Sequence, residues 1–487
     1  MKMLRKITVI SPECETNLNI PDGTVLARAL SQNGFTVPAA CGGKGTCGKC
    51  SVKLISGSFD GEAPKNGMIR SCKAVVTEDA SINLDFHKGS GLTDFGSPAK
   101  LKNGVCGIAV DIGTTTVAAS LLKKDGSVIS GSRLNPQSVY GADVISRIEA
   151  CSEGNTDKLT GLIRGCVKEL TDELNTDKEA EEIVISGNTT MLHIFCGISP
   201  ESMGVYPFTP QFTDTVVLDG LKLGFDIKKV TVLPSVSAFI GSDIVAGIYA
   251  LNLQNTKGKF LLADLGTNGE LVFSDNGKLY CTSTAAGPAL EGACIECGTG
   301  GIKGAIDRVF IENEKTGFTT VGNSEPTGIC GAGLTDAVAL MLKENLLDES
   351  GYLEKEFVIT ENVYISQKDI RQFQLAKSAV FSGIEILCNS AGTNVKNLDS
   401  IMVAGGLGYY INPESAVISG LLPQTDSIEA VGNTSLKGAL MCIGNPNALC
   451  EMSAIPGQCT LVDLGGNPDF SDKFMNNMYF RKEEIQK

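Results

Sequence analysis

Short stretches in which apolar residues recur between polar ones open the chain, and they predict a small sheet. Between these stretches, residues 24–32 place Val25, Leu26, Ala29 and Leu30 on one face of a predicted helix. Runs of this length that are bounded by polar residues and glycine are typical of strands. The predicted strands lie at residues 6–10, 17–20, 51–55 and 81–86, within a first folded region of about residues 3–87.

A longer series of apolar strands follows after the first hundred residues. Residues 105–121 and 260–273 each consist of an apolar strand, an aspartate, a Gly-Thr turn and a second apolar strand, which predicts two similar β-hairpins. A third apolar strand at 401–408 contains Gly-Gly near its end, with a helix after it, and follows a predicted helix at 375–390. Residues 328–333 open another predicted helix. These elements predict an α/β domain with an internal repeat.

The chain of 487 residues is long enough for about three folded units. Gly, Ser and Pro dominate residues 89–103, and the apolar residues there show no helical or strand period. This composition predicts a flexible linker of 15 residues, although a tether packed against its neighbour is the alternative. We predict a first domain at 1–88, a linker at 89–103, and a second domain with lobes at 104–258 and 259–487.

Composition excludes several classes of protein. The net charge of −14 argues against a nucleic-acid partner, because such proteins need a basic face to bind phosphates. We find no run of 18 apolar residues and no apolar leader, so we expect a soluble cytoplasmic protein with no membrane partner. The chain has only two histidines, and His193, which lies in an apolar stretch, is predicted to be a core residue.

Cysteines and glycines coincide in one loop. Cys41, Cys47 and Cys50 have the spacing C-x5-C-x2-C, and Cys72 follows later, which suits an iron–sulfur cluster held by four thiolates. The glycines of this loop allow positive φ angles and a close approach of the backbone to sulfur. A structural zinc site is the alternative, although zinc sites usually have two short cysteine pairs. A second pair, Cys294 and Cys297, lacks further ligands nearby, so we predict a structural role.

The two hairpins have tips that suit a nucleotide. Backbone N–H groups and threonine hydroxyls of an Asp-x-Gly-Thr turn can bind a phosphate, and an aspartate at the strand end can hold Mg²⁺. Glycines after the third strand would let an adenosine lie against the backbone. The candidate residues are Asp111 and Asp264 for Mg²⁺–ATP and the attacking water, Gly113, Thr114, Thr115, Gly266, Thr267 and Asn268 for phosphates, and Gly405 and Gly406 for adenosine.

Both regions resemble known folds. The first resembles the β-grasp fold of [2Fe–2S] ferredoxins, with a cysteine spacing closest to adrenodoxin-like members and an early Cys72. The second resembles the two-lobed ATPases of the sugar kinase–Hsp70–actin superfamily. Residues 111–116 match the first phosphate motif of that superfamily, 264–270 the second, and 404–408 the adenosine motif. The resemblance implies an α+β domain followed by an α/β ATPase domain, with a [2Fe–2S] cluster, ATP and Mg²⁺ as cofactors.

The combination resembles the reductive activators of corrinoid proteins. Residues 186–193 and 287–298 are also similar to that family, although the short linker leaves no room for the extra domain of some members. The resemblance implies a metalloreductase that hydrolyses ATP and passes one electron from its cluster, held by Cys41, Cys47, Cys50 and Cys72, to a Co(II) corrinoid protein of a methyltransferase or O-demethylase system. The product would be Co(I), the partners would include a low-potential electron donor, and a homodimer is left open.

Three other functions stay open at this point. An activator of 2-hydroxyacyl-CoA dehydratases would also donate electrons with ATP, but such activators hold a cluster between subunits with few cysteines. A redox-sensing module that binds ATP would need an output domain, and we recognise none. A small-molecule kinase with an electron-transfer domain would form a phosphorylated product.

Overall fold

The computed structural model describes residues 3–11, 15–33, 50–84, 104–312 and 315–481, together with residues 35, 37, 43, 45 and 48. The chain forms two compact units, Met1–Val232 and Leu233–Lys487. The predicted linker at 89–103 lies outside the described residues.

A five-stranded sheet forms the first part of unit one, with the strand order β2-β1-β5-β3-β4. The predicted strands and helix are confirmed with small shifts of their ends, and one short strand, β4, was not predicted. Alternate apolar residues of these strands, such as Ile7, Val9 and Ile82, are fully buried beneath the helix residues Leu26 and Leu30. The elements are β1 (Leu4–Ile10), β2 (Glu15–Pro21), α1 (Leu26–Gln32), β3 (Ser51–Ser56), β4 (Met68–Arg70) and β5 (Ala80–Asn83).

A six-stranded sheet forms the rest of unit one, with the order β10-β11-β9-β6-β7-β8. The predicted hairpin is confirmed as β6 and β7, and a short 3-10 turn at Pro136–Val139 follows β8. One apolar core continues from the first sheet into the second. The elements are β6 (Gly107–Ile112), β7 (Thr116–Leu122), β8 (Val128–Leu134), α2 (Val144–Ala150), α3 (Thr156–Leu174), β9 (Glu182–Gly187), α4 (Thr189–Cys196), β10 (Val216–Asp219) and β11 (Lys229–Val232).

Unit two contains a sheet of the order β21-β20-β12-β13-β14-β22, in which the second predicted hairpin is β12 and β13. Because β12, β20 and β21 are parallel, their carboxyl ends meet at one edge. The elements are α5 (Ser242–Ala250), β12 (Lys259–Leu265), β13 (Gly269–Asp275), β14 (Lys278–Thr284), β15 (Ala305–Glu312), β16 (Lys315–Thr320), β17 (Gly328–Ile329), α6 (Gly331–Lys343), β18 (Phe357–Val358), β19 (Tyr364–Ile365), α7 (Gln367–Ser390), β20 (Ser400–Ala404), α8 (Pro413–Ile418), β21 (Ser427–Gly432), α9 (Thr434–Cys442), α10 (Pro446–Ala454), β22 (Cys459–Leu461) and α11 (Phe470–Asn477).

Two predicted elements of unit two differ in their ends. Helix α7 begins at Gln367 rather than at residue 375, because Ser366 and Asp369 form a capping box that starts it two turns earlier. The Gly-Gly after β20 leads into a 3-10 turn at Leu407–Tyr409, and a regular helix begins only at Pro413. The sheet edge beside these glycines is therefore lined by a tight turn.

Candidate functional site

Two of the four candidate cluster ligands lie side by side in the first sheet. The sulfur atoms of Cys50 and Cys72 are 3.1 Å apart, and neither cysteine forms a disulfide. Cys50 precedes β3 and Cys72 follows β4, which pairs with β3, and the Ser71 N–H and hydroxyl both donate to the Cys50 carbonyl, at 3.0 and 2.8 Å. Two sulfurs so close can bind one metal ion. Cys41 and Cys47 lie outside the described residues.

The described glycines of the cysteine loop have the backbone that the sequence predicts. Gly43, Gly45 and Gly48 have φ angles of +80°, +78° and +69°. A side chain at Gly45 would collide with Lys73, since an added Cβ would lie 2.4 Å from the Lys73 Cε atom. Glycine is therefore needed at this position for its positive φ, whereas the flexible Lys73 side chain could move away from an added Cβ.

Arg70 ties the cysteine loop to the sheet, and sequence reasoning missed it. Its guanidinium donates to the Gly45 carbonyl at 2.5 Å and forms a bidentate ion pair with the Glu62 carboxylate, at 2.6 and 2.8 Å. The hydrogen bond from Arg70 lowers the pKa of Glu62, and Glu62 raises the pKa of Arg70, with a smaller contribution from Cys72 and Cys50. A fixed positive charge therefore lies beside the two sulfurs.

We expect Arg70→Gln to make the reduction potential of the cluster more negative, by tens of millivolts. Loss of a positive charge disfavours the added electron, but water screens a half-exposed charge and limits the effect. A redox titration followed by visible absorbance measures the change. Arg5→Gln is the matched control, because Arg5 also pairs with a carboxylate, Asp22, at 3.1 Å. Equal potentials in wild type and Arg70→Gln would contradict the role of this charge.

The first candidate phosphate loop lies at the tip of the β6–β7 hairpin, with its carbonyl groups bound to the protein. The Asn135 side chain donates to the Gly113 carbonyl at 2.9 Å, and the Asn135 N–H donates to the Thr115 carbonyl at 2.8 Å. The buried Arg147 donates to the Thr114 carbonyl at 2.5 Å. These contacts fix the loop, with the Thr114 side chain half-buried and the Thr115 side chain exposed. Asn135 and Arg147 carry no local sequence pattern that could have revealed them.

Asp111 lies near the carboxyl end of β6, next to a second polar turn. Strand β9 is parallel to β6 and pairs Ser186 with Asp111 and Gly187 with Ile112. An added Cβ at Gly187 would lie 2.6 Å from the Ile112 carbonyl oxygen, so the two strand ends approach closely. Asn188 then caps α4. The segment 186–193, singled out from the sequence, is therefore a neighbour of the Asp111 candidate.

His193 is a buried histidine, as predicted. Its Nδ1 lies 2.8 Å from the Thr189 carbonyl, and its Nε2 accepts from the Gln211 and Phe212 N–H groups, at 3.0 and 3.4 Å. Its ring also stacks on Phe212. Because Nε2 accepts, the ring is neutral, and burial lowers the pKa of His193 below its usual value.

We expect this histidine to make the fold less stable in mild acid. The unfolded chain binds a proton near pH 6.5 while the folded chain does not, so stability is complete above that pH and falls as the pH drops below it. The loss approaches about 1.4 kcal/mol per pH unit for one proton. Thermal unfolding of wild type and His193→Gln between pH 7.5 and 5.5 measures it. The same pH dependence in both proteins would contradict the assignment.

The second candidate phosphate loop joins β12 to β13 in unit two. The Gly266 N–H donates to the Asn268 carbonyl at 2.9 Å, which closes the turn. The Thr267 hydroxyl donates to the Glu291 carboxylate at 2.7 Å. Glu291 belongs to the segment 287–298 but was not itself predicted as a site residue. Asp264 belongs to this unit and Asp111 to the first.

Three carboxylates converge beside this loop. Burial first, and then the charges of Asp243 and Asp264, raise the pKa of Glu270 well above its usual value. Asp243 lies in the first turn of α5. Carboxylate oxygens are the type of donor that Mg²⁺ prefers, although among the described residues these three side chains are not arranged as a metal site.

The candidate adenosine motif adjoins Asp264. The register of β12 and β20 pairs Asp264 with Ala404, and an added Cβ at Gly405 would lie 2.4 Å from the Asp264 Oδ1 atom. Gly405 has a φ of +77°, and Gly406 faces open space. On the neighbouring strand end, the Asn433 N–H donates to the Tyr409 hydroxyl at 3.1 Å. The sheet edge therefore brings the second phosphate loop and the adenosine motif together.

The second cysteine pair, Cys294 and Cys297, lies in unit two. Cys294 is exposed, and the Cys297 sulfur lies 3.6 Å from the Asn362 carbonyl. Over the described residues, the structure has no group of three or more histidine, cysteine or acidic side chains arranged to hold a metal ion.

Three family models match successive regions of the chain. Residues 10–77 match the 2Fe-2S iron-sulfur cluster binding domain, 106–256 the RACo middle region, and 259–487 the C-terminal ASKHA domain of RACo. In the part of the chain that the structure describes, no helix is long and apolar enough to cross a membrane.

Two relatives and one solved structure are similar to this chain. The corrinoid activation enzyme RamQ of Eubacterium limosum is 32% identical over 435 residues, which is 80% of this chain and 73% of RamQ. The Methanosarcina barkeri [Co(II) methylated amine-specific corrinoid protein] reductase is 25% identical over 48% of each chain. The solved structure of a reductive activator for corrinoid, iron-sulfur protein superposes with a TM-score of 0.73 at 26% identity, over 97% of this chain and 98% of that one.

The fold and these matches define an ATP-dependent reductase that carries its own [2Fe–2S] cluster domain beside an ATPase domain. The predicted fold class is confirmed. More specifically, the chain belongs to the RACo family of reductive activators of corrinoid proteins.

Proposed function

We propose that this protein passes one electron from a [2Fe–2S] cluster to the Co(II) form of a corrinoid protein, and that ATP drives the transfer that restores Co(I). The observation that carries the proposal is the Cys50–Cys72 sulfur pair, 3.1 Å apart, in a chain that aligns over 80% of its length with RamQ. The matched regions lie within the domains predicted at 1–88, 104–258 and 259–487, whereas the two compact units divide earlier, at Val232–Leu233.

The cluster would be held by Cys41, Cys47, Cys50 and Cys72. Such a cluster supplies one electron at a low potential, near −400 mV for plant-type ferredoxins. The chain's own residues position the thiolates: the β3–β4 pairing brings Cys50 to Cys72, and Arg70 fixes the loop through the Gly45 carbonyl. An external low-potential donor would reload the cluster.

Each hairpin tip carries candidate nucleotide residues. In unit two, Thr267 and the Gly266 turn would contact phosphates, and Asp264 with Glu270 would hold Mg²⁺. In unit one, the fixed 113–115 loop would present Thr114 and Thr115 to phosphates, with Asp111 at the strand end. The adenosine would lie against Gly405 and Gly406.

ATP is needed because the electron transfer is uphill. Each 59 mV of unfavourable one-electron transfer costs about 1.4 kcal/mol, and Co(I) demands a very low potential. The nucleotide can offset this cost only if it binds one state of the protein more tightly than the other. The reducing conditions of a cytoplasm would suit the reaction, and none of the described cysteines forms a disulfide.

Anaerobic absorbance of a Co(II) corrinoid protein from the same organism tests the proposal. We expect conversion to Co(I) only when the protein, a strong reductant and Mg²⁺–ATP are all present. The Asp264→Ala variant should no longer convert Co(II) to Co(I) in the presence of ATP. The Asp275→Ala variant, changed at the other end of the same hairpin, should support conversion as wild type does.

Absence of conversion with every corrinoid protein of the organism, despite an intact cluster and bound ATP, would overturn the proposal. That result would favour another low-potential electron acceptor, such as a 2-hydroxyacyl-CoA dehydratase. A phosphorylated small molecule would instead indicate a kinase.

A further inference from the structure

The iron–sulfur part of unit one docks on the 3-10 turn at Pro136–Val139. The buried Ser31 hydroxyl, on α1, donates to the Pro136 carbonyl at 3.1 Å. The Arg28 guanidinium, also on α1, lies over the Tyr140 ring at 4.9 Å from its centroid. Both Tyr140 and Val139 are buried.

The cysteine loop reaches the same turn. An added Cβ at Gly43 would lie 3.6 Å from the Val139 carbonyl oxygen and 4.0 Å from the Cys72 Cβ atom. The end of the turn therefore lies near the backbone of the cysteine loop and near Cys72.

The other side of this turn is bonded to the first phosphate loop. Asn135 caps the turn by accepting from the Gln137 N–H at 3.0 Å, and the same side chain donates to the Gly113 carbonyl. Arg147 donates to the Gln137 side chain at 3.1 Å and to the Gly141 carbonyl at 3.0 Å, while it also binds the Thr114 carbonyl. Asn135 and Arg147 are fully buried, so neither has room to move without its partners.

We propose that the turn at Pro136–Val139 couples nucleotide binding at the 113–115 loop to docking of the iron–sulfur part, with Asn135 and Arg147 as the positioning residues that connect them. The inference rests on the proposed function, since it assigns the nucleotide to that loop. Nucleotide bound to the loop favours the docked position of α1 and of the cysteine loop. By thermodynamic linkage, docking strengthens nucleotide binding by the same factor.

Calorimetric titration of the full-length, cluster-loaded protein with a non-hydrolysable ATP analogue and Mg²⁺ tests the coupling. Arg28 is exposed, so Arg28→Ala removes the contact with Tyr140 without opening the core. We expect it to weaken nucleotide binding about two- to fivefold, the range that an exposed cation–π contact supports. Lys53→Ala, which removes an exposed cation of the same sheet, is the matched control and should bind as wild type.

A double-mutant cycle tests the path through Asn135. Asn135→Ser keeps a hydroxyl that can cap the turn but is too short to reach the Gly113 carbonyl. In this background Arg28→Ala should have a smaller effect on nucleotide binding than in wild type, because only the connection through Arg147 remains. Hydrogen exchange at residues 26–32 should slow on nucleotide binding in wild type, and slow less in Asn135→Ser at saturating nucleotide.

Two results would overturn the proposal. Docking and binding are uncoupled if Arg28→Ala binds nucleotide as tightly as wild type and hydrogen exchange at residues 26–32 is the same with and without nucleotide. If the Arg28→Ala effect persists in full in the Asn135→Ser background, Asn135 does not connect them. Neither measurement uses a corrinoid protein, so a failure here leaves the proposed reduction standing, and a failure of that reduction leaves the coupling testable.

Discussion

Replacement of Cys72 by serine is expected to remove most of the cluster and to lower the rate of Co(I) formation at least a hundredfold. The Cys72 sulfur lies 3.1 Å from that of Cys50, so both thiolates are placed to bind the same iron. A serine hydroxyl is a poor ligand for iron in such clusters, which are held by thiolates. Iron content and visible absorbance after anaerobic reconstitution measure the loss.

Cys450→Ser is the control for this prediction, because Cys450 is an exposed free thiol in α10. It should keep full iron content and activity. Wild-type iron content in Cys72→Ser would remove Cys72 from the ligand set. Zinc in place of iron in the wild-type protein would favour the structural alternative for this site.

The strands and their tips were predictable because their pattern is local. The two hairpins around Asp111 and Asp264 each place an apolar strand, an aspartate and a Gly-Thr turn next to one another in the chain, and both form as predicted. A continuous run of apolar residues bounded by a Gly-Thr turn needs no knowledge of distant partners, and these strands are buried along nearly their whole length. The roles of these residues in binding ATP stay predictions.

The residues that fix the loops were not predictable, because their partners are distant in the chain. Arg147 binds the Thr114 carbonyl from 33 positions away, and Arg70 binds the Gly45 carbonyl from 25 positions away. A lone arginine with no pattern around it usually indicates a solvated surface position. Only the pairing of strands and the packing of α2 bring these side chains to their loops. The early start of α7 was missed for a different reason, since its capping box lies in a polar segment.

Replacement of Gly405 by alanine is expected to weaken ATP binding at least tenfold and to abolish ATP-dependent reduction. Gly405 has a φ of +77°, and an added Cβ would lie 2.4 Å from Asp264 Oδ1 and 3.2 Å from the Leu265 carbonyl oxygen. The methyl group would displace the candidate magnesium ligand and strain the backbone, at a cost of about 1–3 kcal/mol. Equilibrium binding of a fluorescent ATP analogue, with iron content as a measure of the intact cluster, checks this result.

Gly457→Ala is the matched control in the same unit, because an added Cβ there meets no atom within 4 Å and its φ is not positive. It should bind ATP as wild type does. If Gly405→Ala also bound ATP as tightly as wild type, the adenosine motif would have to lie elsewhere and Asp264 would lose its support as a nucleotide residue. Loss of ATP binding with full iron content in Gly405→Ala would instead separate the two functions of the chain, because the cluster residues lie in unit one and Gly405 in unit two.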